Sequence, residues 1–210
     1  MLEPATSPTR LYLIRHGEVE QRYHRVFGGR IDMALSDLGQ EQARALAGYL
    51  ERVPFNAIYA SPMKRVQQTL QELTAYQTAA PHILEELREV DFGAWTGLAW
   101  DEISPRFGIS AYDWLDQLER GLINGAEPIR EFRARLETAL QVLLAGAAGR
   151  TIAVVCHGGV IRMLLSILLD LPLRKMAGFD FEYAGVSIVD WLPGKVEVQL
   201  LNLTPWRDGP

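Results

Sequence analysis

Two histidines stand directly after apolar runs. Leu11-Tyr12-Leu13-Ile14 leads into Arg15-His16-Gly17, and Ile152-Ala153-Val154-Val155-Cys156 leads into His157-Gly158-Gly159. A neutral imidazole at a strand end is a competent nucleophile toward phosphorus, and a neighbouring guanidinium favours the neutral form by opposing a proton on the ring. Arg15 adjoins His16. Gly17 and Gly158 free the backbone to turn and to approach a ligand beside each histidine. Arg65 follows Ser61-Pro62, in what reads as the first turn of a helix, where the dipole attracts anions. Phosphoryl transfer asks mainly for positioning and for neutralisation of the peripheral oxygens, so His16, His157, Arg15 and Arg65 could serve it without a metal or any other cofactor. The leaving group also needs a proton. The segment from Leu87 to Gly97 offers Glu89 and Asp91, with Glu85 and Glu86 just before it, and a carboxyl there could stay protonated through partial burial.

These groups can meet only if the chain brings its ends together. Parallel strands of an open α/β sheet do so, because such sheets place their ligand crevice at the strand carboxyl ends. The hydropathy pattern alternates accordingly. A strand over 10–15 is followed by a helix capped by Ser36, with Leu38, Leu46 and Leu50 on its apolar face. A strand over 56–60 runs into Ser61-Pro62, with Ser as cap, Pro at the first helical position and a helix from Met63 to about Gln77. A short strand over 82–85 precedes a loosely patterned stretch, about 88–127, that reads as an irregular lid over the sheet. Ile129, Phe132, Leu136, Leu140, Leu143 and Leu144 then recur at helical spacing. A strand over 151–156, a helix from about Gly159 to Leu169, and strands near 185–192 and 195–203 joined at Pro193-Gly194 complete the chain. The expected fold is α/β: a three-layer α/β/α sandwich with a mixed, mostly parallel sheet and an antiparallel edge strand, forming one domain over 1–210.

Composition narrows the function. With 210 residues, 48% of them hydrophobic, and a net charge of −5, the chain has the makeup of an ordinary globular domain and lacks the basic balance of a general nucleic-acid binder. Locally the balance reverses: Arg10, Arg15, Arg22, Arg25 and Arg30 face only Glu18 and Glu20 before Asp32, a cationic patch beside His16. Only three of the 21 basic residues are lysines, and guanidinium is the group that clasps phosphate bidentately. The single Cys156 excludes an internal disulfide, residues 1–10 lack the profile of a secretory signal, and the apolar run 163–169 is too short for a membrane span, so a cytoplasmic setting is expected. Cys156 reads as a small apolar strand residue, His24 and His82 as surface residues, and Arg162 as half of a structural ion pair. Trp95, Trp100 and Trp114 either line the lid or staple it to the core.

Four spaced motifs carry a family resemblance. Arg15-His16-Gly17-Glu18, Ser61-Pro62-Met63-Lys64-Arg65 through Thr69, Leu87-Arg88-Glu89 with Phe92-Gly93 and Trp95 to Gly97, and His157-Gly158-Gly159-Val160-Ile161-Arg162 occur in order. Together they resemble the histidine phosphatase superfamily, the phosphoglycerate mutase-like fold, over about residues 10–192. The resemblance implies that His16 becomes a phosphohistidine, that Arg15, Arg65 and His157 bind the phosphoryl group, and that Glu89 is the general acid and then the base. It implies no metal and no cofactor. Gly17 and Gly158 join the expected phosphate-binding set. Where family members commonly carry an asparagine six residues after the nucleophile, this chain has Arg22, which either supplies a charged phosphate contact or points to solvent.

Leu98-Ala99-Trp100-Asp101-Glu102-Ile103 is apolar and acidic where mutases carry basic residues for a carboxylate. The wording resembles the phosphatase branch, including alpha-ribazole phosphatases and broad-specificity phosphomonoesterases. The expected activity is therefore metal-independent hydrolysis of a small phosphorylated metabolite, by a monomer or homodimer that binds neither nucleic acid nor membrane. A cofactor-dependent mutase, a silent phospho-ligand-binding module and a metal-dependent hydrolase are the alternatives, the last without the i, i+4 histidine spacing of a metal site.

Overall fold

A computed structural model describes residues 7–208. Positions 1–6, on which the reading of the leader partly rests, lie outside the described residues. Six strands form one sheet in the order β3-β2-β4-β1-β5-β6, with β1 Thr9–Arg15, β2 Ala57–Ala60, β3 Pro81–Ile83, β4 Thr151–Cys156, β5 Val186–Leu192 and β6 Lys195–Leu203. The first four strands in that order pair in parallel, and β5 and β6 add an antiparallel hairpin beyond β1. This is the expected mixed, mostly parallel sheet.

The stretches 11–14 of β1 and 152–156 of β4 are apolar without interruption because helices cover both faces of the sheet. Leu11 and Leu13 of β1, with Ile152, Val154 and Cys156 of β4, join a core with helices α5 (Ile129–Leu144) and α6 (Gly158–Leu168). The alternate residues Tyr12, Ile14, Ala153 and Val155 meet helices α1 (Asp37–Leu50) and α2 (Lys64–Thr74) on the other face. In register, Arg15 lies opposite Cys156, and His16 N–H bonds the Cys156 carbonyl at 3.1 Å, so His16 and His157 leave the sheet side by side.

Three local expectations change. Leu38 is 44% exposed, because the buried stripe of α1 runs through Gly39, Gln42, Ala43, Leu46, Ala47 and Leu50. Helix α2 starts at Lys64 with Met63 at its cap position, and Asp32 Oδ1 accepts from the Lys64 N–H at 2.8 Å, so Ser61 is left for another partner. The lid contains two short helices, Trp100–Phe107 and Trp114–Glu119, and its Phe92, Trp95 and Trp114 join the core of the α5 and α6 face. Ring contacts of 5.0 Å from Phe27 to Phe92 and 5.1 Å from Phe27 to Trp95 tie the loop after β1 to the lid.

The His16 loop rests on the start of α1 with nothing between them. A Cβ on Gly17 would lie 2.4 Å from the Gly39 carbonyl oxygen, and one on Gly39 would lie 2.0 Å from that of Glu18. Ser36 caps the helix by accepting from Gly39 N–H at 2.9 Å and donates to Glu18 Oε1 at 2.8 Å. Alanine is the better helix former, yet Gly39→Ala is expected to destabilise the protein by about 2–3 kcal/mol through overpacking against backbone. Gly48→Ala, in the same helix with open space around it, is expected to stabilise by about 0.5–1 kcal/mol. Urea midpoints of the two variants check both signs.

Candidate active site

Arg65 is the group on which both histidines converge. Its Nε–H points at His16 Nε2 at 3.1 Å and at His157 Nδ1 at 3.2 Å, while Nη1 and Nη2 donate to the carbonyls of Ile31 and Gly29 at 2.9 and 3.1 Å. The ring protons follow. His16 Nδ1 lies 2.7 Å from the Gly17 carbonyl and must donate, so Nε2 keeps its lone pair. His157 Nδ1 accepts from Arg65, so its proton sits on Nε2 and is donated to Ser61 Oγ at 2.9 Å. That is the partner Ser61 found instead of the helix.

The electrostatics agree with this tautomer assignment. Burial, then the charges of Arg65 and Arg15, holds His16 well below the usual imidazole value; burial and Arg65 do the same to His157. Burial lowers Arg65 itself to about 10, which leaves it a cation at neutral pH. Thr69 Oγ1 accepts from Gly17 N–H at 3.0 Å and donates to the Arg65 carbonyl at 2.9 Å, coupling the His16 loop to α2.

Arg15 donates Nη1 to the Phe181 carbonyl at 2.5 Å and lies 4.0 Å over the Tyr183 ring. Glu89 reaches the same cleft from the lid: Oε1 accepts from Val90 N–H at 3.0 Å and Oε2 from Gly159 N–H at 3.1 Å. A Cβ on Gly159 would sit 2.4 Å from Glu89 Oε1, so the second glycine after His157 is the one that admits the carboxyl. Among the rival carboxyls, Glu85 pairs with Arg88 and Asp91 accepts from the Gly93 N–H, both outside the cleft. The cavity bounded by these groups is about 210 Å³ and is lined by Arg15, His16, Arg65, Glu89 and Gly158 among others.

Several assignments need correction. Arg22 is not brought into the cleft: its side chain is 69% exposed, pairs with Glu20 at 3.0 Å and lies 4.8 Å over the Tyr23 ring, because the turn over Gln21–Tyr23 faces outward. Gly17 gives its N–H to Thr69 and its missing side chain allows close contact with α1. Arg162 forms no ion pair among the described residues. It donates Nη1 and Nη2 to the carbonyls of Gly158 and Phe179, lies 5.0 Å over Phe181 and lines the cleft. Burial and Arg15 lower it to about 10. The Nε atoms of Arg15 and Arg162 are both buried without an acceptor among the described residues. Tyr183, Trp100 and Trp114 also line the cleft. Tyr183 left no trace in periodicity, since it sits in the turn before β5, whereas the doubled glycine after His157 was a signal available in the sequence.

The profile of the histidine phosphatase superfamily (branch 1) matches residues 11–204. A bifunctional protein of Mycobacterium tuberculosis, Rv2228c, is 32% identical over 202 residues, covering 94% of this chain and 55% of that protein, so the chain spans about half the length of this relative. An adenosylcobalamin/alpha-ribazole phosphatase of Salmonella typhimurium is 27% identical over 199 residues, covering 94% and 98% of the two chains. The crystal structure of the alpha-ribazole phosphatase from Shigella flexneri superposes with a TM-score of 0.80 at 25% identity, covering 93% of this chain and 96% of that one.

Both buried imidazoles are neutral in the folded protein and regain a value near 6.5 on unfolding, so below pH 6.5 the unfolded chain binds the extra protons and stability is lost as the pH is lowered. Each histidine adds up to about 1.4 kcal/mol per pH unit to that slope. In phosphate-free urea titrations at pH 7, 6 and 5, His157→Gln is expected to lose stability less steeply than the wild type by about that amount. Equal slopes would contradict the neutral assignment.

Proposed function

Because the chain belongs to the histidine phosphatase superfamily (branch 1), we propose that it is a phosphomonoesterase that works through a phosphohistidine at His16 Nε2. The observation that carries this reading is the single Arg65 Nε–H shared by two neutral imidazole nitrogens inside a buried cleft. A substrate phosphoryl group entering there meets the His16 Nε2 lone pair as its oxygens take over the Arg65 Nε–H, with Arg15 and Arg65 to neutralise their charge. His157 Nδ1 becomes a donor once the incoming dianion draws a proton onto that ring. Gly158, between His157 and Arg15, leaves room for the approach.

In the first step the phosphorus–nitrogen bond forms at His16 Nε2 as the ester bond breaks, and the proton of the Glu89 carboxyl goes to the leaving oxygen. In the second, water attacks phosphorus, Glu89 takes its proton, the phosphorus–nitrogen bond breaks and inorganic phosphate leaves with His16 neutral again. None of these steps asks for a metal ion. The substrate class is a small phosphorylated compound, in keeping with the phosphatase names of the relatives. Hydrolysis is favoured over mutase transfer because the segment after the acid motif, residues 98–103, is apolar and acidic and adds no cation to the cleft.

Quenching into alkaline detergent after mixing with phosphorus-labelled substrate is expected to trap label on the wild type that survives alkali and is lost in acid, and none on His16→Ala, with turnover unaffected by EDTA. Unchanged turnover in His16→Ala would sink the proposal, and loss of turnover in EDTA would favour a metal hydrolase. For Glu89, kcat/KM is the sensitive quantity, since it covers the steps up to phosphohistidine formation. Glu89→Gln is expected to lower it about 10²-fold or more for an alkyl phosphate and much less for p-nitrophenyl phosphate, whose leaving group needs no proton. Equal losses on both substrates would count against the acid role.

A further inference from the structure

Glu89 hangs on a loop, and both arms of that loop end on one buried ion pair remote from it in sequence. Arg135, on α5, donates Nη1 to the carbonyl of Glu86 and to that of Arg88 at 2.7 Å. Its Nε and Nη2 fork onto Glu127 Oε1 and Oε2 at 2.6 and 2.9 Å. Glu127 then closes the other arm, with its backbone N–H on the Asp91 carbonyl at 3.0 Å and its Oε2 accepting from Asp91 N–H at 3.4 Å. Residues 86, 88 and 91 are thus all tied to this pair, and the residue they bracket is Glu89. The two side chains are 16% and 7% exposed.

Stability alone does not call for this arrangement. A buried ion pair recovers little more than its desolvation cost, and apolar side chains of the same volume often serve folding as well. What apolar side chains cannot do is hold two backbone carbonyls and a carboxylate in one plane. Guanidinium can, since its planar fork grips Glu127 bidentately and still turns Nη1 to the carbonyls of residues 86 and 88; an ammonium offers a single point charge. The neighbouring chain adds to the grip: Ala94 N–H bonds the Asn124 carbonyl at 2.8 Å, and a Cβ on Gly93 would meet Ala126 N at 2.2 Å. Among the described residues the Glu89 carboxyl itself bonds only the N–H groups of Val90 and Gly159, while Leu87 and Val90 on either side of it pack into the core. Where the carboxyl sits is therefore decided from behind.

We propose that Arg135, through its ion pair with Glu127, is a positioning residue for Glu89: it fixes the 86–91 loop so that the carboxyl faces the leaving oxygen, and it touches no substrate. The inference rests on the acid role assigned to Glu89 above. A displacement of about 1 Å in a catalytic group costs on the order of 10²-fold, and only a step that needs the carboxyl's proton should register it.

The test compares kcat/KM for an alkyl phosphate and for p-nitrophenyl phosphate in Arg135→Lys, Glu127→Gln and Glu89→Gln. Arg135→Lys is expected to lose about 30- to 100-fold on the alkyl ester and less than about threefold on the aryl ester. Added to Glu89→Gln, it should cost little more on the alkyl ester, because the group it positions is already gone. Equal losses on both esters, no loss on either, or losses that multiply with Glu89→Gln would each overturn the proposal. Should Arg135→Lys fail to fold, Glu127→Gln, which keeps its shape and one acceptor, carries the same expectations. If Glu89→Gln discriminates between the esters and Arg135→Lys does not, only the positioning role falls. If Glu89→Gln does not discriminate either, the acid assignment falls with it.

Discussion

One guanidinium, buried at the carboxyl ends of β1 and β4, sets the terms for everything around it. Arg65 is 2% exposed and has no carboxylate within ion-pair distance among the described residues; its hydrogen bonds go to two backbone carbonyls and two imidazole nitrogens. Removing such a charge from water costs several kcal/mol, which these neutral acceptors offset only in part. The site is therefore built to receive negative charge. The same cation requires both histidines to present lone pairs, which gives His16 Nε2 the protonation state that the proposed nucleophile needs.

The rest of the fold keeps this arrangement rigid. The parallel pairing of β1 and β4 brings the two histidines to a ring separation of 5.2 Å. The contact between Gly17 and Gly39 seats the His16 loop on α1, and Thr69 couples the same loop to α2. On the far side, Phe27 holds the lid by its aromatic neighbours, while the Arg135–Glu127 pair holds the loop bearing Glu89. His16 and the Glu89 carboxyl thus come from elements anchored separately, as the proposed reaction, which needs both at set positions, requires.

Much of this was legible in the chain. The two apolar runs ending in histidine were buried on both sheet faces, as uninterrupted hydrophobicity implies, and the helix periods of α5 and α6 located their cores. His16, His157, Arg15, Arg65 and Glu89 were all named from motif and spacing, and they line or close one cleft. The failures share a cause. Arg22 and Arg162 were judged by residue type and nearness to a motif, whereas where they point depends on which way a turn faces and on what lies across from it. Leu38 misled for a similar reason: an apolar residue near a helix start need not lie on the stripe that the sheet covers.

By itself the sequence determined the order of strands and helices, the two faces of the sheet and the chemical types gathered at its carboxyl edge, because hydrophobic period and residue chemistry are local properties. Only the tertiary structure decided the tautomers of His16 and His157, the outward turn of Arg22, the admission of Glu89 by Gly159 and the tie from Arg135 to the acid loop. The His157 tautomer and the last two are contacts between residues far apart in the chain, while the His16 tautomer and the direction of Arg22 rest on near neighbours, Gly17 and Glu20, whose geometry is settled by how the layers pack. No pattern along the sequence encodes a hydrogen bond whose donor and acceptor become neighbours only when the sheet closes.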